Sequence, residues 1–129
     1  MIVGLGIDVV EVARIRRNVE DAAGSRGERF LARCFTDGER AYCDARRDRA
    51  SHYAARFAAK EAAMKALGTP EGLRWTDVEV IRGDGAPSLR LHGVAARKAA
   101  ELRVARAHLA LTHDGGIAAA TVVLEGGAP

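Results

Sequence analysis

Residues 48–67 read DRASHYAARFAAKEAAMKAL, and this stretch decides the fold. Alanines at 54, 55, 58, 59, 62, 63 and 66 favour helix and let a neighbour approach closely, while Tyr53, Phe57, Met64 and Leu67 supply a core stripe. Gly68 at the C′ position and Pro70 just beyond it end the helix. Toward the N-terminus, Thr36 with Glu39 three residues on has capping-box spacing and opens a short helix. Gly24-Ser25-Arg26-Gly27 reads as a break, after which Glu28 to Cys34 forms another short helix. Glu11 to about Ala22 places Val12, Ile15 and Val19 on one stripe and Arg14 and Arg17 together on a basic edge. Ile2 to Val10 alternates as a strand, with Val3, Leu5, Ile7 and Val9 on one side and Gly4, Gly6 and Asp8 on a face that the glycines strip bare. Toward the C-terminus, Val78 and Val80 mark a strand, and Gly83 to Pro87 turns into a second strand, Ser88 to Leu91. Gly93 to Leu102 is an alanine-rich helix, and His108 to Thr112 with Ile117 to Leu124 forms a hairpin around Asp114-Gly115-Gly116, before a frayed tail from Gly126. The element order predicts an α+β fold in which one antiparallel sheet packs against a long central helix and smaller helices.

A chain of 129 residues suits a single domain spanning 1–129. Apolar residues make up 48% of it, which excludes wholesale disorder, and no segment approaches the roughly 18 uninterrupted apolar residues of a membrane span. Met1 to Gly6 enters an apolar stretch with no basic region before it and no cleavage-like site after it, so the expectation is a soluble cytoplasmic protein with no membrane partner. Cys34 and Cys43 have no Cys-x-x-Cys spacing and read as buried free thiols. The net charge is only +3, but between Arg14 and Arg56 there are 11 Arg and no Lys against 7 Asp plus Glu. A partner with an acidic surface fits that balance, and so do arginines decorating solvated helices. With 5% aromatics and no interleaved basic-aromatic surface, nucleic acid is not an expected partner.

Three places in the sequence carry chemistry. Asp8 is a lone carboxylate in a strand otherwise built for burial, where it must be paired or bound to a metal, or else cap the helix beginning near Val10. Glu61 lies at the edge of the core stripe, where the triplet Lys60-Glu61-Lys65 projects charge beside apolar surface. Glu61 and Lys65 also satisfy an ordinary i,i+4 salt-bridge pattern. Joined to Asp8, Glu61 would complete two carboxylates from separate elements, which suits a magnesium ion that keeps waters and takes substrate phosphates. His113 precedes Asp114-Gly115-Gly116, whose turn amides are free to meet an anion; otherwise it is a surface histidine. The common phosphate-loop, dinucleotide, zinc and serine-elbow motifs are absent.

Gly6-Ile7-Asp8-Val9-Val10-Glu11, the run Arg56 to Ala62 continuing through Lys65-Ala66-Leu67-Gly68, and Leu111-Thr112-His113-Asp114 together resemble the holo-acyl-carrier-protein synthase family of phosphopantetheinyl transferases. Phe35-Thr36, Glu39 and Tyr42-Cys43 resemble a further motif of that family, and Thr112 stands where its usual pattern has serine. The resemblance implies the 4′-phosphopantetheinyl transferase fold and a magnesium-dependent transfer of phosphopantetheine from coenzyme A to a serine of an apo-acyl carrier protein. It implies Asp8 and Glu61 as metal ligands and places Arg56 and His113 near the adenosine and 3′-phosphate of coenzyme A. It also implies a homotrimer whose active sites lie between subunits. Under that reading Lys65 neutralises the departing bisphosphate, Glu61 or a water held by the ion serves as base, and Arg14 and Arg17 dock the acidic carrier. A nucleotide-binding sensor without catalysis is the competing expectation.

Overall fold

The computed structural model describes residues 1–21, 25–82 and 85–127. Chain order is β1 (Ile2–Glu11), α1 (Val12–Val19), α2 (Arg26–Cys34), α3 (Asp37–Asp44), α4 (Arg49–Ala66), a 3₁₀ turn at Trp75–Asp77, β2 (Val78–Ile81), β3 (Ser88–Leu91), α5 (Gly93–Glu101), β4 (Val104–Asp114) and β5 (Ile117–Gly126). The fold is α+β, as the element order predicts, but its strands form two antiparallel sheets rather than one. β1, β5 and β4 make a three-stranded sheet with β5 at its centre, and β2 and β3 make a separate two-stranded ribbon. The ribbon strands are four residues each, and β3 approaches the edge strand β4 without joining its hydrogen-bond ladder.

The α4 helix lies across β1 and β5 because both surfaces are pared to small residues. Ala54, Ala58, Ala59 and Ala62 are fully buried, and they face a sheet whose inward positions on β5 are Ala118, Ala120, Val122 and Leu124. On β1 the inward positions include Gly4 and Gly6, where a Cβ would stand 2.3 Å from the Ala66 carbonyl oxygen and 1.8 Å from that of Ala62. The glycine face is therefore not bare: the helix backbone occupies it. The apolar side of β1 turns outward instead, leaving Leu5, Ile7 and Val9 at least 60% exposed. They continue across the sheet in rows Leu5–Val123–His108, Ile7–Thr121–Ala110 and Val9–Ala119–Thr112.

Local signals account for most element ends. Thr36 and Glu39 form the expected reciprocal capping box. Gly68 adopts φ +77°, the left-handed conformation that closes α4. Gly115 and Gly116, at φ +58° and +81°, form the two-residue β4–β5 turn. Helix α1 starts at Val12 and is described to Val19, the expected end near Ala22 lying outside the described residues. Helix α2 begins at Arg26, inside the stretch read as a break. Of the expected turn at 83–87, residues 83 and 84 lie outside the described set. The last two strands run longer than the hydrophobic pattern suggests, and the start of the expected frayed tail is ordered: Gly126 ends β5 and the Gly127 amide donates to the Arg103 carbonyl at 3.0 Å. Both cysteines are buried free thiols, and burial pushes Cys43 up to about 12.

Candidate active site

Asp8 sits in the middle of β1, opposite Ala120, and is 9% exposed. It does not cap α1, whose N-cap is Glu11 with no side-chain cap bond. Instead Lys65 donates from Nζ to Asp8 Oδ1 at 3.1 Å and to the Ile7 carbonyl at 3.1 Å. The α4 helix can deliver this contact because Gly4 and Gly6 bring its backbone onto the strand just before Asp8. Glu61, one turn before Lys65 on the same helix, lies beside Asp8 as well. Burial first, then the Asp8 charge and the hydrogen bond that protonated Glu61 gives to Asp8, hold its carboxyl above the ordinary range, while Lys65 and Arg14 pull the other way. The i,i+4 reading of Glu61 and Lys65 thus gives way to a cluster in which Lys65 pairs across to the strand.

Of the triplet expected to project charge beside apolar surface, Lys60 lies deeper than that: it is fully buried against Glu39, also fully buried, at 2.7 Å. Arg14 is exposed on α1 and close enough to Glu61 to affect its charge. Arg17 is exposed on the same helix, whereas Arg16 is engaged with Asp48 and Glu20.

A second basic locality surrounds Arg56, which is 3% exposed and whose Nε has no hydrogen-bond partner among the described residues. Its guanidinium lies 4.1 Å from the centre of the Tyr42 ring, with Arg46 over the same ring at 4.0 Å. A cleft of about 210 Å³ opens here, lined by Gly38, Tyr42, Arg56 and residues 79–82. His52 packs edge-on against Tyr42, and its proton affinity is lowered by burial, then by Arg56, Arg46 and His113. His113 therefore belongs to the same positive neighbourhood, though it lines a different cleft of about 480 Å³ with Val12, Arg16, Asp48, Ser51 and the 114–117 turn. A third depression, about 470 Å³, is lined by Asn18, Arg26, Arg29, Phe30 and Arg33. Sequence reasoning missed these α2 arginines; their mutual spacing, three residues from Arg26 to Arg29 and four from Arg29 to Arg33, was the available signal.

The carboxylate cluster fits a hard divalent cation. Among the described residues no group of three or more His, Cys, Asp or Glu could hold a metal. Two carboxylates alone are too few for calcium or zinc, but they suit magnesium, which retains waters and completes its shell with substrate oxygens. A buried carboxylate, Asp8, stands beside a half-buried one, Glu61, whose proton affinity is raised by burial and by the Asp8 charge, and that is the local observation a bound cation would resolve. Paired carboxylates, an ammonium and a separate arginine-lined cleft together equip a protein to handle phosphate esters.

The family model of the 4′-phosphopantetheinyl transferase superfamily matches residues 4–122. Holo-(acyl-carrier-protein) synthase of Anaeromyxobacter dehalogenans (strain 2CP-C) is 67% identical over 129 residues, all of both chains. The chain is 32% identical to the holo-(acyl-carrier-protein) synthase of Bacillus anthracis solved in complex with CoA (3′,5′-ADP), with a TM-score of 0.78 over 98% of this chain and 99% of that one. The Helicobacter pylori enzyme, solved with coenzyme A, matches at 30% identity and TM-score 0.77 over 94% and 99%. The chain belongs to the 4′-phosphopantetheinyl transferase superfamily.

Proposed function

We propose that the chain, working as one domain over 1–129, transfers the 4′-phosphopantetheine arm of coenzyme A to a serine hydroxyl of an apo-acyl carrier protein and releases adenosine 3′,5′-bisphosphate. The observation that carries this reading is the meeting of Asp8, Glu61 and Lys65 where α4 crosses β1. Asp8 and Glu61 would hold magnesium, which supplies charge neutralisation and alignment of the diphosphate. Arg56, with its unpartnered Nε, and His113 bind the adenosine 3′-phosphate end. Glu61 takes the serine proton as the serine oxygen bonds to the pantetheine-bearing phosphorus. The bond from that phosphorus to the bisphosphate breaks, and Lys65 neutralises the departing oxygen. Phosphoryl transfer asks mainly for alignment and spread positive charge, so no covalent intermediate is needed.

The exposed apolar rows on the outer sheet face support a homotrimer in which active sites lie between subunits. Arg14 and Arg17 on α1, and the arginines of the α2 depression next to Asn18, are basic groups suited to an acidic carrier. Among the described residues no helix is long and apolar enough to cross a membrane. The location we propose is cytoplasmic. Chromatography of the reaction mixture tests the activity: adenosine 3′,5′-bisphosphate should appear one-for-one with modified carrier. Tight coenzyme A binding with no release in the presence of magnesium and carrier would favour the non-catalytic sensor.

A further inference from the structure

The machinery described above leaves one buried ion pair without a task. Lys60 adjoins Glu61 on α4, but a helix rotates about 100° per residue, so it leaves the Asp8 side and enters the interior. There its ammonium uses all three hydrogens: one faces Glu39 Oε1 at 2.7 Å, one the Trp75 carbonyl at 3.1 Å, and one the Val78 carbonyl. Both oxygens of Glu39 are engaged as well. Its Oε1 also accepts from the Thr36 amide at 2.9 Å, and its Oε2 accepts from the Val80 amide at 2.8 Å. The network continues through the Thr36 hydroxyl, which donates to Glu79 Oε2 at 2.8 Å, to His92, whose Nε2 lies 2.9 Å from Glu79 Oε1.

Two opposite charges with no solvent contact are costly to bury, and well-packed apolar residues of similar volume often stabilise a fold as well or better. What the pair supplies that apolar residues would not is direction. Between them, Lys60 and Glu39 grip the backbone at Val78 and Val80, successive inward positions of β2, from α4 on one side and α3 on the other. The β2–β3 ribbon is not hydrogen-bonded into the main sheet, so its place depends on such ties. The same three elements bound the small cleft: Gly38 and Tyr42 come from α3, Arg56 from α4, and Val80 and Ile81 from β2.

We propose that the buried Glu39–Lys60 pair is a positioning device that sets the spacing of β2 from α3 and α4, and so shapes the cleft in which Arg56 and Tyr42 receive the nucleotide end of coenzyme A. The inference rests on the reading of the chain as a coenzyme A-dependent transferase. It assigns Lys60, inside the run that carries Glu61, a task distinct from that of its neighbour: Glu61 serves the reacting phosphorus, Lys60 the grip on the nucleotide.

The test uses the whole chain in three forms, wild type, Glu39→Gln and Glu39→Gln/Lys60→Met, the double variant removing both charges so that neither is left buried alone. Urea midpoints are measured for each, with Leu124→Val, a core change remote from the cleft, as the comparison for destabilisation alone. KM for coenzyme A and the Kd of adenosine 3′,5′-bisphosphate should rise tenfold or more in both charge variants. Turnover and KM for the carrier should stay within threefold of wild type. Should Glu39→Gln not fold, the double variant decides. Coenzyme A KM within threefold of wild type, or all parameters falling together with the folded fraction as in Leu124→Val, overturns the inference. A wild type that binds the bisphosphate but transfers nothing would overturn the transferase reading instead, while the Kd comparison still judges the positioning role.

Discussion

A methyl group at Gly6 would lie 1.8 Å from the Ala62 carbonyl oxygen and 2.8 Å from its carbon, both backbone atoms that cannot step aside. Gly6→Ala must therefore push α4 off β1 and part Asp8 from Glu61 and Lys65. Its expected cost is about 2 kcal/mol or more in urea unfolding, with a loss of transfer exceeding what the unfolded fraction explains. Asp8→Ala and Glu61→Ala act differently: each should lower turnover by about a hundredfold or more while leaving the thermal midpoint within a few degrees, since neither side chain fills the core. A parallel loss of fold and activity would make the pair structural. The glycines were visible in the sequence, but an alternating strand does not say which of its faces is covered. Only the matching alanines of α4 and β5 settle that, and they lie more than 50 residues apart in pairs such as Ala62 and Ala118. The buried pairing of Lys60 was not legible for a related reason, because its partner Glu39 lies on another helix and leaves no local periodic trace.

Helices α1 and α2 carry the basic surface, and their arginines are not equivalent. Arg14 lies near enough to Glu61 to oppose its protonation, so reversing its charge would disturb the metal site and docking together. Arg17 is exposed on the same helix and gives the cleaner test. Arg17→Glu should raise KM for the carrier about tenfold at low salt, with a smaller effect at high salt and little change in KM for coenzyme A, because rim charges act through the encounter rate and are screened. Equal effects on both substrates would contradict a docking role. Capping and turn chemistry made the element ends at Thr36, Gly68 and the 115–116 turn legible, since each is decided by a few adjacent residues. The separation of β2 and β3 into their own ribbon was not, because strand pairing depends on contacts far along the chain.

At the scale of the molecule, Leu5, Ile7 and Val9 on the outward face of β1 place large apolar side chains in water, next to the half-exposed Ala119 and Val123 of β5. Under the proposed trimeric assembly, Ile7→Lys, at the middle of that face, should leave only a monomer in light scattering and abolish transfer while helix content is kept; an active monomer would contradict shared active sites. The fold class and the residues of the carboxylate cluster could be read from the sequence because the motif-bearing run from Arg56 to Gly68 is also the helix around which everything packs. The central claim joins that cluster to a cation and a transfer. Intact mass measurement of an apo-acyl carrier protein after incubation with the chain, coenzyme A and magnesium, with and without chelator, tests it most directly. A gain of one phosphopantetheine with magnesium and none with chelator is the predicted result; no gain in either arm, or an equal gain in both, would contradict it.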